Sequence, residues 1–510
     1  MSIKRYQHLI ICVVCFVGVF STNNFRTLRA EHQKEVPPSS GEPKSEGARI
    51  LSKFKFAPLG FNPPKAERLM LDNGVILYLL ENHDLPIINV TARIRTGAIY
   101  EPAEKAGLAS LTGDVMRSGG TVSMPPDKMN EELEFIAASV ETSIGRESGG
   151  ASLSVLKKDI DKGLRIFADV LRNPAFPEDK IRMEKDEAIE SIRRENDRPQ
   201  QIAGREFRKM LYESSHPYSR RVDGALESIE KITRNDMIAF HRKFFCPNNI
   251  IIGISGDFDR KAMIKKLNEV FKGWEKGKNI IPDIPKVKYE LNKSVNYVYK
   301  DINQANVIMG HLGIHRRSPD YFPIEILNFI LGGGGFNARI TSRIRSDEGL
   351  AYSAFSGFQT SQDLGMFYVM CQTKLESTNR AISIALEEIE KMRATPVDNE
   401  ELTHAKETFL NQFVFRFTTS ASIVAQMVDI EYEGLPLDYL ETYENNIQAV
   451  SVEDIKRVAQ KYLHPDKICI LVIGNKDKFD KPLDTFGKVN EVLLEQPPEI
   501  PAKNAKNKAE

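Results

Sequence analysis

The chain predicts an α+β fold made of two related halves. Its 510 residues are too many for a single core and suggest several domains. An internal repeat sets the unit. HRKFFCPNNIIIGISGDFDRKAM, from His241, and QKYLHPDKICILVIGNKDKFDKP, from Gln460, share one order of features. Each runs from a helix end through an aromatic, a Pro-marked turn and a buried strand to a Gly turn, with strands at Ile250 to Ser255 and Ile468 to Ile473. The copies lie about 220 residues apart, a domain-sized spacing. Within each unit, long helices alternate with antiparallel strand pairs.

In the first half, Val75 to Leu80 and Ile87 to Arg95 are β-branched runs joined across ENHDLP, and both predict strands. A helix follows through GLASLTGDVM, then another near Pro126 to Ala138. Ala138 to Ile144 and Gly150 to Val155 form a strand pair, followed by a long helical region from Asp159 to Arg208, interrupted near Pro174 and Pro177. In the second half, Asn306 to His311 predicts a strand and Tyr321 to Leu331 a helix. Ala351 to Phe358 and Met366 to Gln372 are strands, and Leu375 to Ala394 and Asn399 to Phe415 are helices.

The ends read differently. Lys4 and Arg5 precede the apolar run Leu9 to Phe20, whose 12 residues fall short of the roughly 20 that cross a bilayer. This is a signal-peptide pattern over 1–21, with Val19 and Ser21 placed for cleavage; an uncleaved membrane tether is the alternative. The expected location is therefore exported, periplasmic or secreted. Residues 22–55 form a polar leader and 489–510 a polar tail. Between them lie an N-terminal domain over 56–276, a linker over 277–292 and a C-terminal domain over 293–488. If the signal is removed, Cys246, Cys371 and Cys469 remain, and three scattered cysteines are not a disulfide framework. With 70 basic and 70 acidic residues, the chain gives no electrostatic footprint for nucleic acid.

Few motifs carry chemistry unaided. His311 and His315 are the one His pair at i, i+4, but their segment reads as a strand and its exit. There they would stand roughly 13 Å apart, too far to share an ion. His216 is a turn residue before Pro217. No nucleophile elbow or phosphate-loop signature occurs. The run LGGGGFNARI, with Gly332, Gly333, Gly334 and Gly335, reads as a loop or a close backbone approach after a helix. Beyond it, Arg343 and Arg345 sit near a helix end and Tyr352 enters a strand, so Arg345 and Tyr352 could face one cavity.

These blocks together resemble the insulinase/pitrilysin family of zinc peptidases, in the short bacterial subfamily related to mitochondrial processing peptidase. The ordered set is LDNGVILYLLENHDLP, GLASLTGDVMRSGGT, RENDRPQQIA with SSHPYSRR, the two repeats, and LGGGGFNARITSRIRSDEGLAYSAFSGF. The resemblance implies that the two α/β-sandwich halves, antiparallel-rich sheets with packed helices, form a clam-shell chamber. Active members read G-L-A-H-x-x-E-H, with two His ligands for zinc and a Glu as general base. Here those positions hold Ser110, Gly113 and Asp114. The downstream Glu ligand falls at Ser191, or at Glu190 or Glu187 if the alignment shifts. Ser110 is a poor ligand, Gly113 cannot take a proton, and Asp114 alone is too few. The resemblance thus implies no zinc in this chain and no autonomous hydrolysis.

Arg345 and Tyr352 keep the family's seven-residue spacing for a pair that holds substrate and stabilises the oxyanion. The Gly-rich run resembles the substrate-contacting loop of the noncatalytic processing-peptidase subunit. The pattern implies a noncatalytic, substrate-binding subunit of a heterodimer, with zinc in a zinc-motif-bearing partner of the same family. A peptide or unfolded polypeptide would add as a strand to a sheet edge. The alternatives are a non-enzymatic scaffold or peptide-binding protein of this fold, and an autonomous metallopeptidase with an altered site.

Overall fold

A computed structural model describes residues 65–278 and 281–495. The expected signal peptide, its tether alternative, the leader and residues 496–510 of the tail lie outside the described residues.

The first sheet contains β1 (Glu67–Met70), β2 (Ile76–Glu81), β3 (Ile87–Ile94), β4 (Ser139–Ile144), β5 (Gly149–Leu156) and β6 (Ile250–Gly256), in the order β1-β2-β6-β3-β5-β4. The second contains β7 (Ser294–Tyr299), β8 (Gln304–Leu312), β9 (Ala351–Gln359), β10 (Met366–Lys374), β11 (Cys469–Gly474) and β12 (Val489–Glu491), in the order β12-β7-β11-β8-β10-β9. Five of the six positions, from β2/β7 to the edge pair β4/β9, correspond one to one. β2 lies parallel to β6 as β7 does to β11, and the other pairings among these five are antiparallel. The repeat found in the sequence is thus the central strand of each sheet. Its continuous apolar run, IIIGISG or CILVIG, is what a strand covered on both faces needs. β3, by contrast, alternates buried and half-buried residues.

The first half carries helices α1 (Leu108–Ser118), α2 (Pro126–Phe135), α3 (Ile160–Arg172), α4 (Glu178–Glu195), α5 (Pro199–Leu211), α6 (Leu226–Lys231), α7 (Arg234–Phe244) and α8 (Arg260–Val270). The second carries α9 (Tyr321–Asn328), α10 (Thr378–Ala394), α11 (Asn399–Phe415), α12 (Ser420–Glu433), α13 (Tyr439–Ala449) and α14 (Val452–Tyr462). Each half has its own large apolar core. Cys246, Cys371 and Cys469 are buried free thiols.

The halves also exchange a helix. α5 leaves the first half and lays Ile202, Ala203 and Phe207 on Val298, Ile308, Leu471 and Ile473 of the second sheet. α12 does the reverse, packing Val424 and Val428 on Tyr78 and Ile251 of the first sheet. Gly253 makes room for this contact, because a Cβ there would overlap Val424 and Val428. Polar pairs fasten the seam. Arg68 grips Glu431 with two hydrogen bonds, 2.8 and 3.0 Å, and Tyr78 Oη donates to the same carboxylate. Glu147, in the β4–β5 turn, accepts from Tyr218 Oη, Gln362 N and Arg316.

Three boundaries differ from the sequence expectation. The long helical region breaks a further time, between Glu195 and Pro199, since proline lacks the N–H that would continue α4 and disfavours helix at the residue before it. That break frees α5 to cross. The helix expected to Leu331 keeps α geometry only to Asn328 and then widens into a π turn, Phe329–Gly333. Finally, Val489–Glu491 pairs in parallel with Val295, Asn296 and Tyr297, so the second sheet reaches into the segment expected as tail.

Asp320, beside the N-terminus of α9, ties that helix to α14. Its carboxylate accepts from Arg457 at 2.7 Å, Lys461 at 2.9 Å and Tyr462 Oη at 2.6 Å. Burial alone would raise its pKa, but these three donors outweigh burial and hold it at about 2. A carboxyl depressed in the folded state stabilises above its unfolded pKa and loses that stabilisation as pH falls through the folded value. The contribution is roughly 2 kcal/mol at neutral pH. Urea unfolding of the parent and Asp320→Asn should therefore differ by that order near neutrality. The difference should shrink steadily as pH falls from about 4 toward 2; a difference that ignores pH would contradict the assignment.

Candidate functional site

Helix α1 is held at its start by a residue the sequence reading missed. Glu101 is buried, and its two carboxylate oxygens accept from the backbone N–H of Gly107 at 2.9 Å and Ala109 at 2.8 Å. Burial raises its carboxyl to about 7 against the opposing pull of those two N–H donors and of the charges of Arg220 and Arg146. Gly107 takes φ +98°, a left-handed conformation suited to glycine, and so lets the chain turn into the helix. A Glu six residues before a Gly-Leu-Ala helix start was the only sequence signal available.

α1 buries Leu108, Ala109, Leu111, Thr112, Gly113, Val115 and Met116. Gly113 lies hard against β4. A Cβ there would stand 2.7 Å from Ile144 N and 3.0 Å from the carbonyl carbon of Ser143. Thr142 Oγ1 donates to Gly113 O at 2.6 Å and holds the helix in that position. The place of a general base is therefore filled by the backbone of a strand.

Ser110 and Asp114 are one turn apart on the outward face, half-buried and exposed respectively. Protein crowding on the helix side still desolvates Asp114 in part. With the nearby charges of Glu184 and Glu187, this raises its carboxyl to about 6, and a hydrogen bond from Ser110 opposes the rise. Because Asp114 still reaches solvent, this shift says little about stability.

Of the candidate third ligands, Ser191 is exposed on α4 and Glu190 is paired with Arg194 at 2.7 Å. Glu187 is the candidate whose charge reaches Asp114, together with Glu184, which the sequence reading did not single out. Among the described residues, no group of three His, Cys, Asp or Glu is placed to hold a metal ion. A hydroxyl, a glycine and an acid do not make the donor set of a catalytic zinc, and no hydrolytic step is assigned to this helix.

The histidines have structural surroundings. His311 is buried in β8; its Nε2 accepts from His464 N at 3.1 Å, and burial pushes its pKa down to about 4. His315 lies past the strand and is exposed. His216 Nδ1 accepts from Tyr218 N, and its Nε2 meets Pro285 O at 2.8 Å, which anchors the linker.

Arg345 and Tyr352 do come together. The helical turns over 339–347 end before Gly349, which takes φ +64°, and β9 begins at Ala351. The Arg345 guanidinium lies 5.0 Å from the Tyr352 ring centroid and 4.2 Å from that of Phe336. Tyr352 is 81% exposed and Phe336 64%, so this stack of ring, guanidinium and ring stands open to solvent. Phe336, one residue past the glycine run, went unnoticed in the sequence. Arg343 does something else: it pairs with buried Glu388 at 2.6 Å and with Glu387.

The glycine run sets Phe336 in place. Gly332 is buried where a Cβ would meet Ser356 N of β9 at 2.6 Å, and Gly335 takes φ +71° with open space around it. β9 ends its sheet, as β4 ends the other, so each offers an unpaired edge.

Two mixed sheets with exchanged helices, a metal-type helix without its donors and an exposed Arg/Tyr pair define a peptidase-like protein. The comparisons with known proteins agree. Residues 78–221 match the family model described as insulinase (peptidase family M16), and residues 231–409 match the one described as peptidase M16 inactive domain. The matches take in more than half of the chain, which belongs to the insulinase family, peptidase family M16.

A Helicobacter pylori protein named non-peptidase homolog YmxG is 26% identical over 78% of this chain and 91% of its own. The mitochondrial-processing peptidase subunit beta of Dictyostelium discoideum is 22% identical over 81% of this chain and 89% of its own. Among solved structures, a peptidase M16 inactive domain from Pseudomonas fluorescens superposes with a TM-score of 0.76 at 26% identity, covering 82% of this chain and all of that one.

Proposed function

We propose that the protein is exported and serves as the substrate-binding subunit of a heterodimeric zinc metallopeptidase, holding peptide for the zinc site of a family partner. The observation that carries this reading is the contrast between the two halves. α1 has lost donors and base and is closed by β4. Arg345 and Tyr352 stay together, exposed and without a carboxylate partner among the described residues. A guanidinium and a phenol with no internal ion pair are donors available to a substrate carbonyl. Extended peptide would add to the free edge of β9, with Gly332 to Gly335 shaping the adjoining turn. The N-terminal segment and the relation to a processing-peptidase subunit support export and pairing.

The test is reconstitution. The mature protein, mixed with an intact H-x-x-E-H relative that copurifies with it or is encoded beside it, should show chelator-sensitive peptide hydrolysis absent from either alone. A partner fully active alone, with no gain on mixing, would contradict the proposal. The name of the Helicobacter pylori relative favours a second reading, a peptide-binding scaffold. It predicts peptide binding with no hydrolysis in any mixture.

A further inference from the structure

Beside Ser191 lies a cavity of about 340 Å³, walled by the end of α4, by α5 and by the segment 219–223. Five arginines line it, and they divide into two groups. Arg205 and Arg221 are neutralised, both by Glu195, and further by Glu206 and Asp223. Arg146, Arg208 and Arg220 are not: among the described residues, no carboxylate lies within ion-pair distance of any of them.

Arg146 donates to the carbonyl oxygens of Tyr218 and Arg220, Arg220 to that of Glu101, and Arg208 to the Gln359 side chain. Their hydrogen-bond acceptors are neutral, so three guanidinium groups line one space without an ion pair, although Glu101, Glu104 and Glu147 act on Arg146 and Arg220 at longer range. Two further observations point the same way. Arg220 Nε and Arg221 Nε are buried with no hydrogen-bond partner among the described residues. Burial and the facing charge of Arg208 pull Arg146 down to about 10. Guanidinium groups without an ion-paired carboxylate in a partly desolvated pocket are stabilised by an anion that completes them, and their fork geometry matches a carboxylate.

We propose that this cavity is an anion site that takes a carboxylate of the bound peptide through Arg146, Arg208 and Arg220. The proposal rests on the peptide-holding reading above and adds its substrate class: peptides bearing an acidic side chain or a free C-terminus at a set position. The position follows from β9. Tyr352 stands near the start of that strand, and Gln359, which Arg208 contacts, is its last residue. The span is about 23 Å at ~3.3 Å per residue. A strand added along β9 with one end at Tyr352 would bring a carboxylate roughly seven residues away to the arginines.

Fluorescence anisotropy on the full mature chain tests this with three short peptides of one apolar sequence. The first has a free C-terminus and no acidic residue. The second is C-terminally amidated with one Glu, and the third is amidated with Gln in its place. One or both carboxylate peptides should bind at least about tenfold more tightly than the third. Which of them does so separates the C-terminal from the side-chain source. The preference should collapse in Arg208→Gln, a variant that breaks only the contact to Gln359 and whose thermal melt should stay near the parent's. Equal binding of all three peptides, or a preference that survives Arg208→Gln, overturns the anion site and leaves peptide holding intact. No binding by any peptide overturns both.

Discussion

Restoring the three motif residues, Ser110→His, Gly113→Glu and Asp114→His, is expected to give neither zinc nor hydrolysis. The reason is steric as well as chemical. Gly113 has no room for even a methyl group, because a Cβ would stand 2.7 Å from a backbone nitrogen of β4, which cannot rotate away. Retreat of α1 would break the Thr142 bond to Gly113 O and strain the Glu101 clasp on Gly107 N and Ala109 N.

The single substitution Gly113→Ala isolates this effect. In a free helix, alanine for glycine stabilises by about 1 kcal/mol. Here overpacking should reverse the sign, at a cost of about 1–3 kcal/mol, with a larger cost for Gly113→Glu. Denaturant unfolding reads the sign directly. The double change Ser110→His with Asp114→His, on the outward face, should stay folded and serve as control. Stoichiometric zinc in the triple variant, or a stabilised Gly113→Ala, would show that α1 retains space for its lost chemistry.

The same steric logic explains how much was legible beforehand. The paired sheets were readable because IIIGISG and CILVIG are continuous apolar runs between matching turns, and only a central strand keeps that pattern. Helix α1 was readable because GLASLTGDVM is an apolar run opened by a glycine and closed by a Gly-Gly pair. The helix exchange was not. Nothing in the local pattern of PQQIAGREFRKML or SASIVAQMVDIEYE says which sheet each helix will cover, since an apolar face fits either one. The short edge strands β1 and β12 were missed for a similar reason, because few of their residues are buried. Phe336 meets Arg345 only nine residues on, but through irregular turns that no period marks; the arginine cavity depends on contacts distant in sequence, since Arg146, Arg208 and Arg220 sit in three separate segments that only folding brings together.

The largest functional effect should fall on Arg345. In the reconstituted heterodimer, Arg345→Ala is expected to lower kcat/KM by about 100-fold or more, the scale of a lost oxyanion donor. Tyr352→Phe separates two roles of its partner. It keeps the ring that lies 5.0 Å from the guanidinium and removes only the hydroxyl. A large fall in kcat with little change in KM then assigns the hydroxyl to the transition state, whereas an unchanged kcat assigns the ring to holding Arg345.

Phe336→Ala removes the other stacking face, 4.2 Å away. An exposed cation–π contact is worth about 0.5–1 kcal/mol, so the loss should be only several-fold, expressed through a looser Arg345. Arg343→Ala is the contrasting control. Its guanidinium neutralises buried Glu388, so the expected damage is to stability, with the surviving folded fraction cleaving normally. If Arg345→Ala with Tyr352→Phe left kcat/KM unaltered while Arg343→Ala abolished it, the substrate-facing arginine would have been misassigned. Exposure argues otherwise: of the two, only Arg345 lacks an internal carboxylate among the described residues and stacks between two solvent-facing rings.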